Sequence, residues 1–185
     1  MKARRGDGTL GELVPGADPL IVAGSVVARG QVATVEIGVE VKILSKAMGK
    51  QMGRVTSDIR DQVGNFRRKR DQPICVAIVG INQAERYVSF EGVAEWPTTG
   101  KDGHRHPYQE AASVEAFIHQ EFDSFVDDLL IMRFKATNYP PFVFEWLDGS
   151  GTAQDYGATL TRMARDYDSR FGGRGDAGAQ GTPPD

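Results

Sequence analysis

Glu40 and Lys42 stand two residues apart in the stretch VEIGVEVKIL, residues 35–44. In an extended chain both side chains leave the same face, about 6–7 Å apart along the strand. A carboxylate and an ammonium placed like this can neutralise each other. They can also divide a task, the carboxylate holding a hard cation and the ammonium stabilising charge that develops on a phosphate. Asp18, in GADPLIV, is expected to open a strand that pairs with the long one and to bring a second acid across the hairpin. With the main-chain carbonyl of Val41, Asp18 and Glu40 would form an oxygen-rich cage suited to Mg²⁺, with Mn²⁺ as the alternative. Lys42 would then orient or activate a water for attack on phosphorus. The plain alternative is a salt-bridged pair on a solvent-facing strand.

Such residues need elements to position them, and periodicity supplies these. Over 32–44 the odd positions Ala33, Val35, Ile37, Val39, Val41 and Ile43 are apolar, which reads as one core face and one polar face of a strand. PLIVAG (19–24) is the expected hairpin partner. From Ser45 to Arg70, Met48, Met52, Val55, Ile59, Val63 and Phe66 recur every three or four residues, one helical face, with Gly53 a place where the helix could break. PICVAIVGI (73–81) is a continuous β-branched run, the mark of a strand buried on both faces. The stretch 86–96 reads as a strand or an irregular extension, and 97–107 as a loop. A helix over 108–125, strands over 127–136 and 142–146, and a final helix over 152–171 follow. This order predicts an α/β fold, a mixed central sheet flanked by helices. It predicts one domain over 18–171, between a flexible or remnant segment (1–17) and a disordered tail (172–185).

The set Asp18, Glu40 and Lys42, followed by an amphipathic helix and a buried strand, resembles the PD-(D/E)XK, or restriction-endonuclease-like, nuclease superfamily. The likeness covers about residues 12–82. It implies metal-dependent hydrolysis of phosphodiester bonds, usually in DNA, with Asp18, Glu40 and the Val41 carbonyl on the metal and Lys42 beside the water. Some branches carry Gln-x-x-x-Tyr on the helix that follows. QVGNF, Gln62 to Phe66, is similar, with Phe in place of Tyr. Only 17 residues precede Asp18, where the family has a helix and a strand, so the resemblance implies an abbreviated N-terminal part. The C-terminal half, or a second subunit (another copy of the chain or a partner), would then supply the missing cover.

Charge is distributed to suit this reading. The chain carries a net −3, yet Lys42 to Arg70 holds nine basic residues against two acids, about +7, leaving about −10 elsewhere. Lys46, Lys50, Arg54, Arg67 and Arg68 are the expected phosphate contacts. RRKR is also the composition of an ordinary solvated helix end. No apolar run approaches the ~18 residues of a membrane span, and a single cysteine, Cys75, fits a reducing cytoplasm. Glu12 and Glu36 are accessory acids at most. His104 and His106 form a loop pair with no third ligand, and Cys75 lacks a neighbouring base. The leading expectation is an Mg²⁺-dependent deoxyribonuclease. Its rival is a catalytically inactive module of the same fold that binds nucleic acid or supports protein assembly.

Overall fold

The computed structural model describes residues 7–24, 27–69 and 72–172, and of Lys69 the main chain only. Five strands form one sheet in the order β1-β2-β3-β6-β7, and β4 and β5 form a separate hairpin. β2 (Ile37–Leu44), β3 (Ile74–Asn82) and β6 (Asp128–Ala136) are parallel, while β1 (Gly8–Leu10) and β7 (Phe144–Trp146) are antiparallel edges. The sheet is therefore mixed, as the alternation of strands and helices implied. Helices α1 (Met48–Lys69) and α2 (Pro107–Phe122) lie on one face and α3 (Gly149–Phe171) on the other.

α1 owes its place to the apolar positions at three- and four-residue spacing. Met48, Met52, Val55, Ile59, Val63 and Phe66 are all buried, together with Val79, Ile81 and Ile118. The helix runs through Gly53 and Gly64, where an added side chain would meet open space. Packing of its apolar stripe outweighs the ~1 kcal/mol that each glycine costs a helix. Its first turn is closed by α2: the Glu110 carboxylate accepts from the amides of Met48 (3.1 Å) and Gly49 (3.3 Å). β3 is buried at every position but Ile78, as its unbroken apolar run required. β4 (Val88–Glu91) and β5 (Ala94–Pro97) turn at Gly92, whose φ of +59° suits glycine. α3 starts at Asp148, which accepts from the Gly151 amide at 2.9 Å.

Two expectations are corrected. The segment 19–24 is not a strand: Leu20 bridges Arg29 alone, and Leu20, Ile21 and Val22 are exposed. The antiparallel partner of β2 is instead β1, inside the segment expected to be irregular. The second correction concerns faces. The even residues of β2, read as a solvent face, lie under α1, and the odd residues face α3. Gly38 is the cause. A β-carbon there would stand 2.3 Å from Cδ2 of Phe66, so its absence lets the helix seat on that face. At the far end Ile43, expected in the core, is 59% exposed. The tail expected over 172–185 lies, from residue 173 on, outside the described residues.

Candidate active site

β2 is an inner strand; Glu40 and Lys42 lie on its α1 face, opposite Ala77 and Val79 of β3 and just past the residues that β1 pairs. Glu40 is only 8% exposed, a carboxylate taken largely out of water. Lys42 Nζ donates to Glu40 Oε1 at 2.7 Å. The Lys42 side chain is 24% exposed and that of Glu40 11%, so the pair is partly desolvated, and such a pair is weak evidence for stability.

The second acid differs from the expected one. Gly8 stands across from Val39, so Asp7 falls one step further, across from Glu40. Residues directly opposed in an antiparallel pair share a face. The Asp7 Oδ2 atom accepts the Val41 amide at 2.8 Å. A strand residue directs its N–H and C=O to the same side, so the Val41 carbonyl also points towards the β1 edge where Asp7 lies. Asp7, Glu40 and the Val41 main chain thus converge, with Lys42 on the same face as Glu40.

Asp18 does not join them. It is exposed in the connection between bridges Leu13↔Val32 and Leu20↔Arg29. Its neighbour Pro19 lies against Gly30, ten residues before Glu40 along a ribbon that runs away from the pair. Reasoning from sequence missed Asp7 because three strand residues, GTL, carry no periodic signal. The available cue was an acid flanked by two glycines, RGDGT, which is weak.

Gln62 is buried on α1. Phe66 fixes its level, since Phe66 lies over Gly38 and α1 runs back along β2. Four helical residues rise ~6 Å and two strand residues ~6.6 Å, which brings Gln62 level with Glu40. Among the described residues no hydrogen bond involves the Gln62 side chain.

The basic residues separate. Lys46 donates to Ser89 Oγ and lies 5.8 Å from the Tyr87 ring centre. With Lys50 it lines a cleft of about 550 Å³ beyond the carboxyl end of β2, shared with Trp96, His104 and Arg105 and with the acids Glu91, Asp102 and Glu110. Open α/β sheets commonly bind ligands at that end. Lys50 and Arg54 are exposed. Arg67 instead donates to the Phe125 carbonyl at 3.0 Å, and Arg68 bonds Asn65, so these two fasten the end of α1.

The remaining candidates have structural partners. Glu36, just before β2, accepts the Tyr167 hydroxyl at 2.8 Å, tying the entry to that strand to α3, and Glu12 accepts from Thr34 at 3.1 Å. His106 pairs with Thr98 Oγ1 at 2.8 Å and stacks on Tyr108 at the start of α2. Burial pushes the Cys75 thiol up to about 11, with Asp127 adding to the rise, so it stays protonated at neutral pH. Among the described residues no three His, Cys, Asp or Glu side chains are grouped as a metal site, and no helix is long and apolar enough to cross a membrane.

No family model, curated protein or solved structure matches the chain.

Proposed function

We propose that this protein is a divalent-metal-dependent phosphodiesterase of restriction-endonuclease-like class that cleaves DNA, with Asp7 in the role first expected of Asp18. One observation carries the reading: a buried Glu40 paired with the part-buried Lys42 on one strand face, with Asp7 anchored to the intervening Val41 amide across the edge. The donor set fits a hard cation, because carboxylate and carbonyl oxygens suit Mg²⁺ or Mn²⁺ and no soft ligand competes. Asp7, Glu40 and the Val41 carbonyl would hold it, and when bound it supplies Lewis acidity next to the phosphodiester.

The chain's own residues divide the remaining work. Lys42, hydrogen-bonded to Glu40, orients the attacking water and offsets negative charge growing on the phosphate oxygens. Gln62 overhangs Glu40 and offers an amide to substrate or water. Lys46, Lys50 and Arg54 hold the flanking backbone, sequence-independent contacts that position the strand. The direct ion pair also favours a second reading. With Lys42 satisfied by Glu40, the site could be silent and the fold a DNA-binding module that needs no cation.

Plasmid cleavage with Mg²⁺, Mn²⁺ or EDTA decides between them. Metal-dependent nicking that disappears in Lys42→Ala, Glu40→Gln and Asp7→Asn, yet survives in Asp18→Asn, is the expected result. Cleavage that survives Lys42→Ala and Glu40→Gln sinks the proposal. Cation-independent DNA binding with no cleavage establishes the module.

A further inference from the structure

The α3 face of the sheet carries an apolar band whose two ends, among the described residues, are left about half exposed. Ile43 of β2 and Phe134 of β6 both lie over Gly80, where a β-carbon would stand 2.7 Å from Ile43 Cδ1 and 3.0 Å from Phe134 Cε1. Phe134 stacks on Phe144 of β7 at 5.5 Å, and Phe144 meets Trp146 edge-on at 5.1 Å. The band thus crosses four strands without interruption. It ends exposed, with Phe144 at 56% and Trp146 at 44%.

α3 extends it. Tyr156, Leu160, Met163, Tyr167 and Phe171 form one stripe by three- and four-residue spacing. Its C-terminal part packs on Ile37, Val39 and Ile78. Tyr156 and Leu160, at the end where Ile43 and Phe134 lie, are about half exposed. An aromatic side chain can bury ~150–250 Å², so these half-exposed residues together offer several hundred Å². That is the upper range for a monomer's largest apolar patch and approaches the ~800 Å² each partner gives a standard interface.

We propose that the β7 end of this face binds a second copy of the same chain, with β7 pairing antiparallel to its copy. β7 is one of the sheet's two edge strands. Lys135 pairs with Glu145, and Thr137 donates to Val143, so Phe144 and Trp146 direct their main-chain groups outward. A two-fold axis at Glu145 sets Phe144 of one copy opposite Trp146 of the other, twice, the kind of aromatic cross-strand pair that stabilises sheets. It also brings the two Glu145 side chains together, and Lys135, 3.8 Å from Glu145 within each chain, offsets that repulsion.

Other occupants fit less well. The basic residues of α1, which would suit a phosphate chain, lie on the other face of the sheet. The residues of this sequence outside the described structure contain no aromatic side chain. This inference is independent of the proposed chemistry, because Glu40 faces α1.

Sedimentation of the full chain across the micromolar range tests it, together with Trp96→Phe, which leaves Trp146 as the only tryptophan. The expected species has twice the 20.2 kDa chain mass, and Trp146 emission moves to the blue as the dimer forms. Tyr156→Lys, on exposed helix, should raise the dissociation constant roughly tenfold or more, the scale of an aromatic hot spot. Phe144→Lys should abolish the dimer while circular dichroism stays native. A monomer at every concentration, with constant Trp146 emission, overturns the proposal. So does a dimer indifferent to Tyr156→Lys, or a monomer whose Trp146 responds to an oligonucleotide instead.

Discussion

A single missing side chain decides which way β2 faces. Gly38 has no β-carbon, Phe66 fills the space, and α1 is drawn onto the face that carries Glu40 and Lys42. Gly38→Ala should therefore destabilise the fold by ~1–3 kcal/mol, the cost of overpacking a close contact. The same change in a Phe66→Ala background should cost much less than it does alone, because the two sites share one contact. Urea unfolding of the four proteins in that cycle measures the difference. Alternation along 33–43 was legible in the sequence, but alternation does not say which layer each face meets. In a sheet covered on both sides, polar residues on an apolar strand can mark a buried site as easily as a wet surface. Asp7 illustrates the complementary failure. Its position follows from the pairing of three residues with β2, and register at a short edge is a tertiary result with no local code.

Among the elements, those with long periodic signals matched the structure most closely. α1 and β3 differ from the expected spans by a few residues at most, because each buries a complete stripe or run. The hairpin expected at 19–24 failed since apolar composition alone does not make a strand, and no layer covers that segment. Between α2 and β6 one polar pair joins helix to sheet. Arg133 Nε donates to Glu115 Oε2 at 2.8 Å, and a second guanidinium nitrogen bonds the other carboxylate oxygen. The Arg133 hydrogen bonds hold the Glu115 carboxyl below its ordinary range. A carboxyl depressed in the folded state adds stability above its unfolded pKa and loses it as pH falls through the folded value. The stability advantage of the natural protein over Glu115→Gln should therefore be full at neutral pH and shrink on acidification through and below the usual carboxylate range. Denaturant midpoints across that range test the sign. An advantage that grows with acid would contradict the assigned cause.

On the scale of the whole molecule, charge and apolar surface are segregated. Basic residues follow α1 over one face of the sheet, while the half-exposed aromatic band lies on the opposite face. The catalytic reading and the dimer reading therefore use different surfaces. The proposed site itself spans parts of unequal firmness. Glu40 belongs to a strand paired along its length with β3, whereas Asp7 hangs on a three-residue edge whose further contacts are single bridges. Edges of this kind open locally at a small fraction of the global unfolding free energy. A cation held by both carboxylates would bind the closed state alone and would stabilise it by mass action. The amides of Gly8–Leu10 should then exchange with deuterium early in metal-free buffer and be slowed by Mg²⁺. Those of β3 should be protected equally in both. Under the proposed chemistry the weakest seam in the sheet would double as a sensor, closing only when the ion it serves has arrived.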